Sequence, residues 1–120
     1  MTLHTELADQ IISQFGEHLD SAPEVSQDAL TLRMQNSLVL QARFANTGEY
    51  SIHWQVNGAE LRIDTAPLHP GLSSFPNHLH GPDGVVRPDC LTRPGQPPQR
   101  NLAAVLNAIL VDPLLQSTGA

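Results

Sequence analysis

The fold is decided by residues 50–64, YSIHWQVNGAELRID, in which two runs of alternating apolar and polar residues flank Asn57-Gly58. Alternation with a period of two is typical of half-buried antiparallel strands. An Asn-Gly pair between two such runs favours a type I′ hairpin, because both central residues of that turn need a positive φ. The hairpin then sets the cross-strand pairs Val56–Ala59, Gln55–Glu60, Trp54–Leu61, His53–Arg62, Ile52–Ile63 and Ser51–Asp64. Apolar residues share one face in this register, and polar residues share the other.

Two further strands are predicted before the hairpin, at residues 30–33 and 38–44. The second of them alternates in the same way as the hairpin strands. A loop at residues 45–49 lets it join the hairpin in a consistent register, with the pairs Gln41–His53, Ala42–Ile52 and Arg43–Ser51. The sheet is therefore predicted to be an antiparallel meander.

Amphipathic helices are predicted on both sides of these strands. Apolar residues recur every three or four positions over residues 5–19 and again over 101–111, where Asn101 is the predicted N-cap. Between the sheet and the second helix, residues 65–98 contain eight of the ten prolines, which predicts a long loop.

We therefore predict a single α+β domain over residues 1–120. Each helix has one apolar stripe and the sheet has one apolar face, so the simplest packing puts both helices on that face. The prediction is a two-layer domain with a four-stranded antiparallel meander sheet, N- and C-terminal helices on one face, and a long Pro- and His-rich loop. A chain of 120 residues is long enough to fold around its own core without metal or disulfides.

Composition points to a reducing compartment. Cys90 is the only cysteine, so no intramolecular disulfide can form. No apolar run approaches the roughly 20 residues of a membrane span. The first ten residues lack the basic start and apolar stretch of a secretory signal. We predict a cytoplasmic protein without a membrane partner.

Charge is distributed unevenly along the chain. The net charge is −6, and six acidic residues precede Ala29 without any Lys or Arg among them. The rest of the chain has six acidic residues, six arginines and no lysine. Arginine suits bidentate recognition of phosphate or carboxylate. The acidic N-terminal part is interpreted as a solvated helix face or as a contact for a basic partner.

The predicted polar face combines side chains that are useful for catalysis, namely Gln41, Arg43, Ser51, His53, Arg62 and Asp64. An imidazole exchanges a proton near neutral pH, and guanidinium groups hold a phosphate. A carboxylate can orient the imidazole. These groups are sufficient to cleave RNA through its own 2′-hydroxyl without a metal. The alternative is a solvated face with an ordinary Arg–Asp pair.

Three more histidines, His69, His78 and His80, lie in the predicted loop. If residues 78–80 are extended, the rings of His78 and His80 point the same way, which suits a metal ion. Asp64 and Asp83 are the carboxylates that could approach them. The other interpretations are imidazoles that handle substrate and polar residues that hold the loop. We predict no metal and no other cofactor.

Three segments together resemble the TumE-type toxins of bacterial toxin–antitoxin modules. They are YSIHWQ at 50–55, LRIDTAPLHP at 61–70 and FPNHLH at 75–80. The chain has no Gly-rich phosphate loop, serine elbow, paired CxxC or HExxH motif that would point to another class. The resemblance implies a small toxin encoded beside a helix-turn-helix antitoxin, and it does not imply a particular chemistry. An RNA target follows by analogy with small toxins of similar size.

The resulting hypothesis is a toxin that acts as a metal-independent endoribonuclease. The predicted catalytic residues are His53, Arg62, Asp64, His78 and His80, and the predicted substrate-binding residues are Arg43, Trp54 and His69. The partners are a helix-turn-helix antitoxin and RNA, and a homodimer is left open. The alternatives are a non-catalytic toxin that binds its target, an interaction domain, and a metal-dependent hydrolase that uses His69, His78 and His80.

Overall fold

The computed structural model describes residues 2–116, which form two α-helices and seven strands. The helices are α1 (Leu3–Phe15) and α2 (Pro98–Val111). The strands are β1 (Glu24–Val25), β2 (Leu30–Arg33), β3 (Val39–Asn46), β4 (Glu49–Val56), β5 (Ala59–Asp64), β6 (His78–His80) and β7 (Val86–Pro88). They form one antiparallel sheet in the order β1 to β7, so each strand pairs with the next one along the chain.

The predicted hairpin register is confirmed. Asn57 and Gly58 have φ values of 50° and 84°, the positive values that a type I′ turn needs. All six predicted β4–β5 pairs are present, and so are the three predicted pairs between β3 and β4. The alternation and the turn therefore fixed the register together.

The prediction of four strands is wrong, because the sheet has seven. β1 was missed because it has only two residues, both exposed. β6 and β7 lie inside the predicted loop 65–98 and have three residues each. Segments this short give no periodic signal, and β6 extends the sheet with two histidines rather than with apolar residues. The loop therefore closes onto the edge of β5 instead of running free.

Both helices pack on the apolar face of the sheet, as predicted. The core contains 21 buried apolar residues contributed by α1, α2, the sheet strands and the connection between β2 and β3, with Trp54 and Ile52 among those without exposed surface. Leu7 and Ile11 enter it from α1, and Leu106 enters it from α2. The opposite face of the sheet remains polar, and it carries the candidate site.

The start of α2 differs from the prediction. The helix begins at Pro98, after Pro97, because proline fits the first turn, where its missing N–H is not needed. Asn101 is not the N-cap; it lies inside the helix and is fully buried. Its carboxamide accepts a hydrogen bond from Arg93 N at 2.9 Å and donates one to Arg93 O at 3.0 Å. The side chain thus ties the preceding loop to the helix.

His4 joins α1 to the sheet through both ring nitrogens. Its Nε2 accepts a hydrogen bond from the backbone N–H of Phe44 at 3.1 Å, and its Nδ1 donates to the Gln27 carbonyl at 3.0 Å. The ring is therefore neutral with the proton on Nδ1. His4 is 3% exposed, so water cannot replace these bonds easily.

We expect His4→Ala to lower the free energy of unfolding by about 2 kcal/mol, because the Phe44 N–H loses its buried acceptor and a cavity remains. Urea unfolding of both proteins measures the change. His18→Ala is the matched control, since the side chain of His18 is 41% exposed. A loss for His4→Ala no larger than that of the control would contradict the role of this bridge.

A buried polar network holds the start of β6 and the end of β7 in place. Asn77 Nδ2 donates to Asp89 Oδ2 at 2.8 Å and to the Thr92 carbonyl at 3.0 Å. The Thr92 hydroxyl donates to Asp89 and also contacts the Tyr50 hydroxyl at 2.7 Å.

The pKa of Tyr50 is raised to about 12. Burial is the largest cause, and the charge of Asp89 acts in the same direction.

Tyr50 is the only tyrosine, so its titration can be followed by phenolate absorbance without mutation. We expect a midpoint near pH 12 in the folded protein and near pH 10 in urea, because the raised pKa belongs to the folded state. The stability that this shift contributes is fully present below about pH 10 and is lost as the pH rises toward 12. A midpoint near pH 10 in the folded protein would rule out a buried phenol.

Candidate functional site

The meander aligns the polar side chains in two rows across the sheet. Gln41, His53, Arg62 and His80 occupy successive paired positions on β3 to β6. The neighbouring row consists of Arg43, Ser51, Asp64 and His78. The addition of β6 beside β5 therefore brings two loop histidines next to the predicted Arg62 and Asp64.

Asp64 is the centre of the site. Its Oδ2 lies 2.9 Å from Arg62 Nε and 3.6 Å from His80 Nε2, and its Oδ1 lies 3.1 Å from His78 Nε2. Oδ1 also accepts a hydrogen bond from the Ala66 N–H at 3.0 Å. The side chain is 14% exposed, so one largely buried carboxylate serves one guanidinium and two imidazoles. Of the two carboxylates that the sequence offered, Asp64 is the one that lies beside His78 and His80.

His78 faces an acceptor at each ring nitrogen. Nδ1 lies 3.2 Å from the Pro76 carbonyl, which can only accept, so Nδ1 carries a proton. Nε2 faces the Asp64 carboxylate, which also accepts when ionised. Either a second proton or a metal ion must lie between Nε2 and this carboxylate to make the contact favourable. The side chain is 1% exposed, so His78 cannot contact a substrate directly.

His80 and Arg62 are in direct contact. Arg62 Nη2 donates to His80 Nε2 at 3.3 Å, so this nitrogen presents its lone pair. Partial burial lowers the pKa of His80, and the charges of Arg62 and His78 lower it further, although Asp64 opposes them. The lowered pKa and the Arg62 contact both favour the neutral form of His80.

His69 completes a group of three imidazoles. It lies in segment 65–77, which folds over one end of the polar face, and its ring centroid is 4.7 Å from that of His78 and 6.2 Å from that of His80. One ring nitrogen of each histidine lies within 4.8 Å of the others. We call these three residues the imidazole cluster. These three histidines are placed to hold a metal ion, and Asp64 lies beside two of them.

His53 lies on the open part of the polar face. Arg62 is directly opposite it on β5, and Arg43 is diagonal to it on β3. Such positions have Cβ atoms about 5 Å and about 7–8 Å apart, respectively. His53 is half-buried, and within residues 2–116 its ring has no hydrogen-bond or ion-pair partner. The predicted grouping of His53 with two arginines is thus present, and its ring is not committed to the protein.

Trp54 does not reach this face. It has no exposed surface, and its indole Nε1 donates to the Pro113 carbonyl at 2.9 Å. Successive residues of a strand point to opposite faces, so a strand that displays His53 must bury Trp54. The predicted contact between Trp54 and substrate is incompatible with this position, and the residue instead anchors the end of α2.

The sequence analysis did not predict that backbone groups orient the site. The Pro76 carbonyl fixes the ring of His78, and the Ala66 N–H fixes the carboxylate of Asp64. Neither contact has a side-chain signature. An open groove runs beside them and is lined by Ser51, Arg62, Asp64, Thr65, Pro67 and Pro76, among others.

Neither helix of the described residues is long and apolar enough to cross a membrane.

Comparison with curated proteins and with solved structures finds no significant match. The family model described as toxin TumE matches residues 7–112, which includes α2 and all seven strands. Toxins of this kind work in toxin–antitoxin systems, so a cognate antitoxin is implied. The chain belongs to the TumE toxin family.

Proposed function

We propose that this toxin cleaves RNA without a metal in the reaction, with His53 as the group that moves the proton. The supporting observation is an uncommitted imidazole between two arginines, Arg62 and Arg43, on an open sheet face. Arg43 is exposed, and its one side-chain hydrogen bond is to Gln41 Oε1 at 3.2 Å. Two guanidinium groups flanking an imidazole match the needs of phosphodiester chemistry.

In the proposed reaction His53 takes the proton of a ribose 2′-hydroxyl. The 2′-oxygen attacks the adjacent phosphorus, and the bond from phosphorus to the 5′-oxygen of the next nucleotide breaks. The products are a 2′,3′-cyclic phosphate and a 5′-hydroxyl, whose proton comes from solvent while His53 returns its own proton to solvent. Arg43 and Arg62 stabilise the charge that develops on the phosphate oxygens.

Asp64, His80 and His78 act on RNA indirectly in this proposal. Asp64 and His80 position the guanidinium of Arg62 beside His53 through the contacts at 2.9 and 3.3 Å. His78 is buried, and the contact of its Nε2 with Asp64 Oδ1 holds the carboxylate in place. His69 lies at the rim of the cluster, where we propose that it contacts the substrate.

The proposed antitoxin is a helix-turn-helix protein that binds this chain directly. A basic partner of this kind fits the six acidic residues that precede Ala29. Most of these acidic side chains are exposed, and those of α1 lie away from the polar face. The antitoxin contact and the RNA contact would therefore use different sides of the toxin.

A second candidate is a toxin that blocks its target by binding alone. Leu68 and Phe75 favour it, because they are 71% and 44% exposed on segment 65–77, beside the groove. Among residues 2–116, Phe75 is also the only Phe, Tyr or Trp with an exposed side chain. Loss of toxicity in Phe75→Ser, with full toxicity in His53→Ala, would favour binding over cleavage.

We expect His53→Ala to lower the rate of RNA cleavage by at least about 100-fold, which is typical for loss of a group that moves a proton. The assay follows end-labelled single-stranded RNA in excess chelator, with growth inhibition as a second measurement. His18→Ala serves as the control, since it removes a histidine whose side chain is 41% exposed and which lies in the short turn after α1. Intact RNA with the wild-type protein, or equal cleavage by His53→Ala, would refute this mechanism.

The arginine roles predict a change in salt dependence. Arg43→Gln and Arg62→Gln should each weaken RNA binding and reduce the slope of log K against log salt by about 0.7, which corresponds to one phosphate contact on a single strand. Arg100→Gln is a matched control because Arg100 is exposed on α2, which packs on the other face. Equal slopes for all three variants would exclude phosphate contacts on the polar face.

A further inference from the structure

We propose that the imidazole cluster and Asp64 form a four-ligand site for Zn²⁺, which fastens segment 65–77 to the sheet. The ligands are His69, His78, His80 and Asp64. The site does not include His53, although it shares His69, His80 and Asp64 with the proposed RNA site, and the proposal does not depend on RNA being the substrate. It rests on ligand separations, on the partners of His78 and on the segments that supply the ligands.

Two of the ligand separations are close to those of a tetrahedral zinc site. Bonds of about 2.0–2.1 Å at tetrahedral angles put ligand atoms about 3.3 Å apart. Asp64 Oδ1 lies 3.1 Å from His78 Nε2, and Asp64 Oδ2 lies 3.6 Å from His80 Nε2. The imidazole nitrogens lie within 4.8 Å of one another, so a modest inward rotation of the rings closes the set. Imidazole donors favour zinc over Mg²⁺ or Ca²⁺, which prefer oxygen.

The surroundings of His78 are those of a metal ligand. Its Nδ1–H is held by the Pro76 carbonyl, which leaves Nε2 directed at Asp64. Metal-binding histidines commonly donate their other N–H to a carbonyl or carboxylate, which fixes the ring orientation. A zinc ion between Nε2 and Oδ1 turns a contact between two electron-rich atoms into two coordinate bonds.

The ligands come from three different parts of the chain. His78 and His80 are two residues apart on β6 and share a face, Asp64 ends β5, and His69 belongs to segment 65–77. Four protein ligands without an open position are typical of structural rather than catalytic zinc. An ion in this site would fasten the segment over one end of the polar face.

Arg62 is the cation that zinc must displace. Its Nε and Nη2 now contact Asp64 Oδ2 at 2.9 Å and His80 Nε2 at 3.3 Å. The Arg62 side chain is 49% exposed, so it can turn outward toward the open face without breaking the core. Zinc and Arg62 therefore compete for the same two atoms.

The test uses full-length protein purified without a nickel column and treated with chelator. Calorimetric titration with ZnCl₂ at neutral pH should give one site per chain, and the thermal midpoint should rise by several degrees at saturation. Co²⁺ in the same site should show the visible absorption of a tetrahedral complex. Absence of saturable zinc binding would overturn the proposal, and so would an octahedral Co²⁺ spectrum.

Variants separate ligands from bystanders. His69→Ala and His80→Ala should weaken zinc binding by at least about 100-fold, beyond the effect typical of an outer-shell residue. His69 lies on a surface segment, so its variant should fold, which circular dichroism verifies. Arg62→Gln should bind zinc more tightly because the competing cation is gone. His53→Ala and His18→Ala should bind as wild type does; equal weakening by His53→Ala would mean that binding is not specific to this site.

Discussion

The register of the β4–β5 hairpin is the constraint on which the remaining structure depends. Asn57-Gly58 adopts a turn with positive φ at both residues, and that turn aligns His53 with Arg62 and Trp54 with Leu61. A slip of one residue would turn Trp54 toward solvent and the charged groups of Arg62 into the core. Burying the apolar face therefore also orders the opposite face, and the hydrophobic core and the site are two results of one alignment.

Most of the sheet and the common face of the two helices could be predicted because their signals are local and periodic. The hairpin needed only alternation and an Asn-Gly pair, and α1 needed only its apolar stripe. β6 could not be predicted, because three residues have no period and its pairing with β5 depends on Asn77, whose partners Asp89 and Thr92 are distant in sequence. For the same reason the sequence left two carboxylates, Asp64 and Asp83, as possible neighbours of the histidines. The fold places Asp64 beside them, whereas Asp83 pairs with Arg87.

β6 has only three residues, and polar contacts on both of its sides hold it in the sheet. At one side the buried network of Asn77, Asp89 and Thr92 holds the strand from within the protein, and on the polar face Asp64 holds both of its histidines. Buried polar groups are tolerated where their hydrogen bonds are satisfied, and no buried side-chain nitrogen or oxygen of the described residues lacks a partner. One of the three segments that resemble the family, residues 75–80, contains β6.

The strict neighbour-to-neighbour order of the seven strands has a consequence for biosynthesis. Paired residues of neighbouring strands are separated by few residues along the chain, which favours rapid folding. The central strands can pair while the ribosome is still adding later residues. His78 and His80 follow the other polar groups of the site along the chain, and α2 follows every strand. The apolar face of a nascent sheet therefore stays partly uncovered until α2 is available to pack on it.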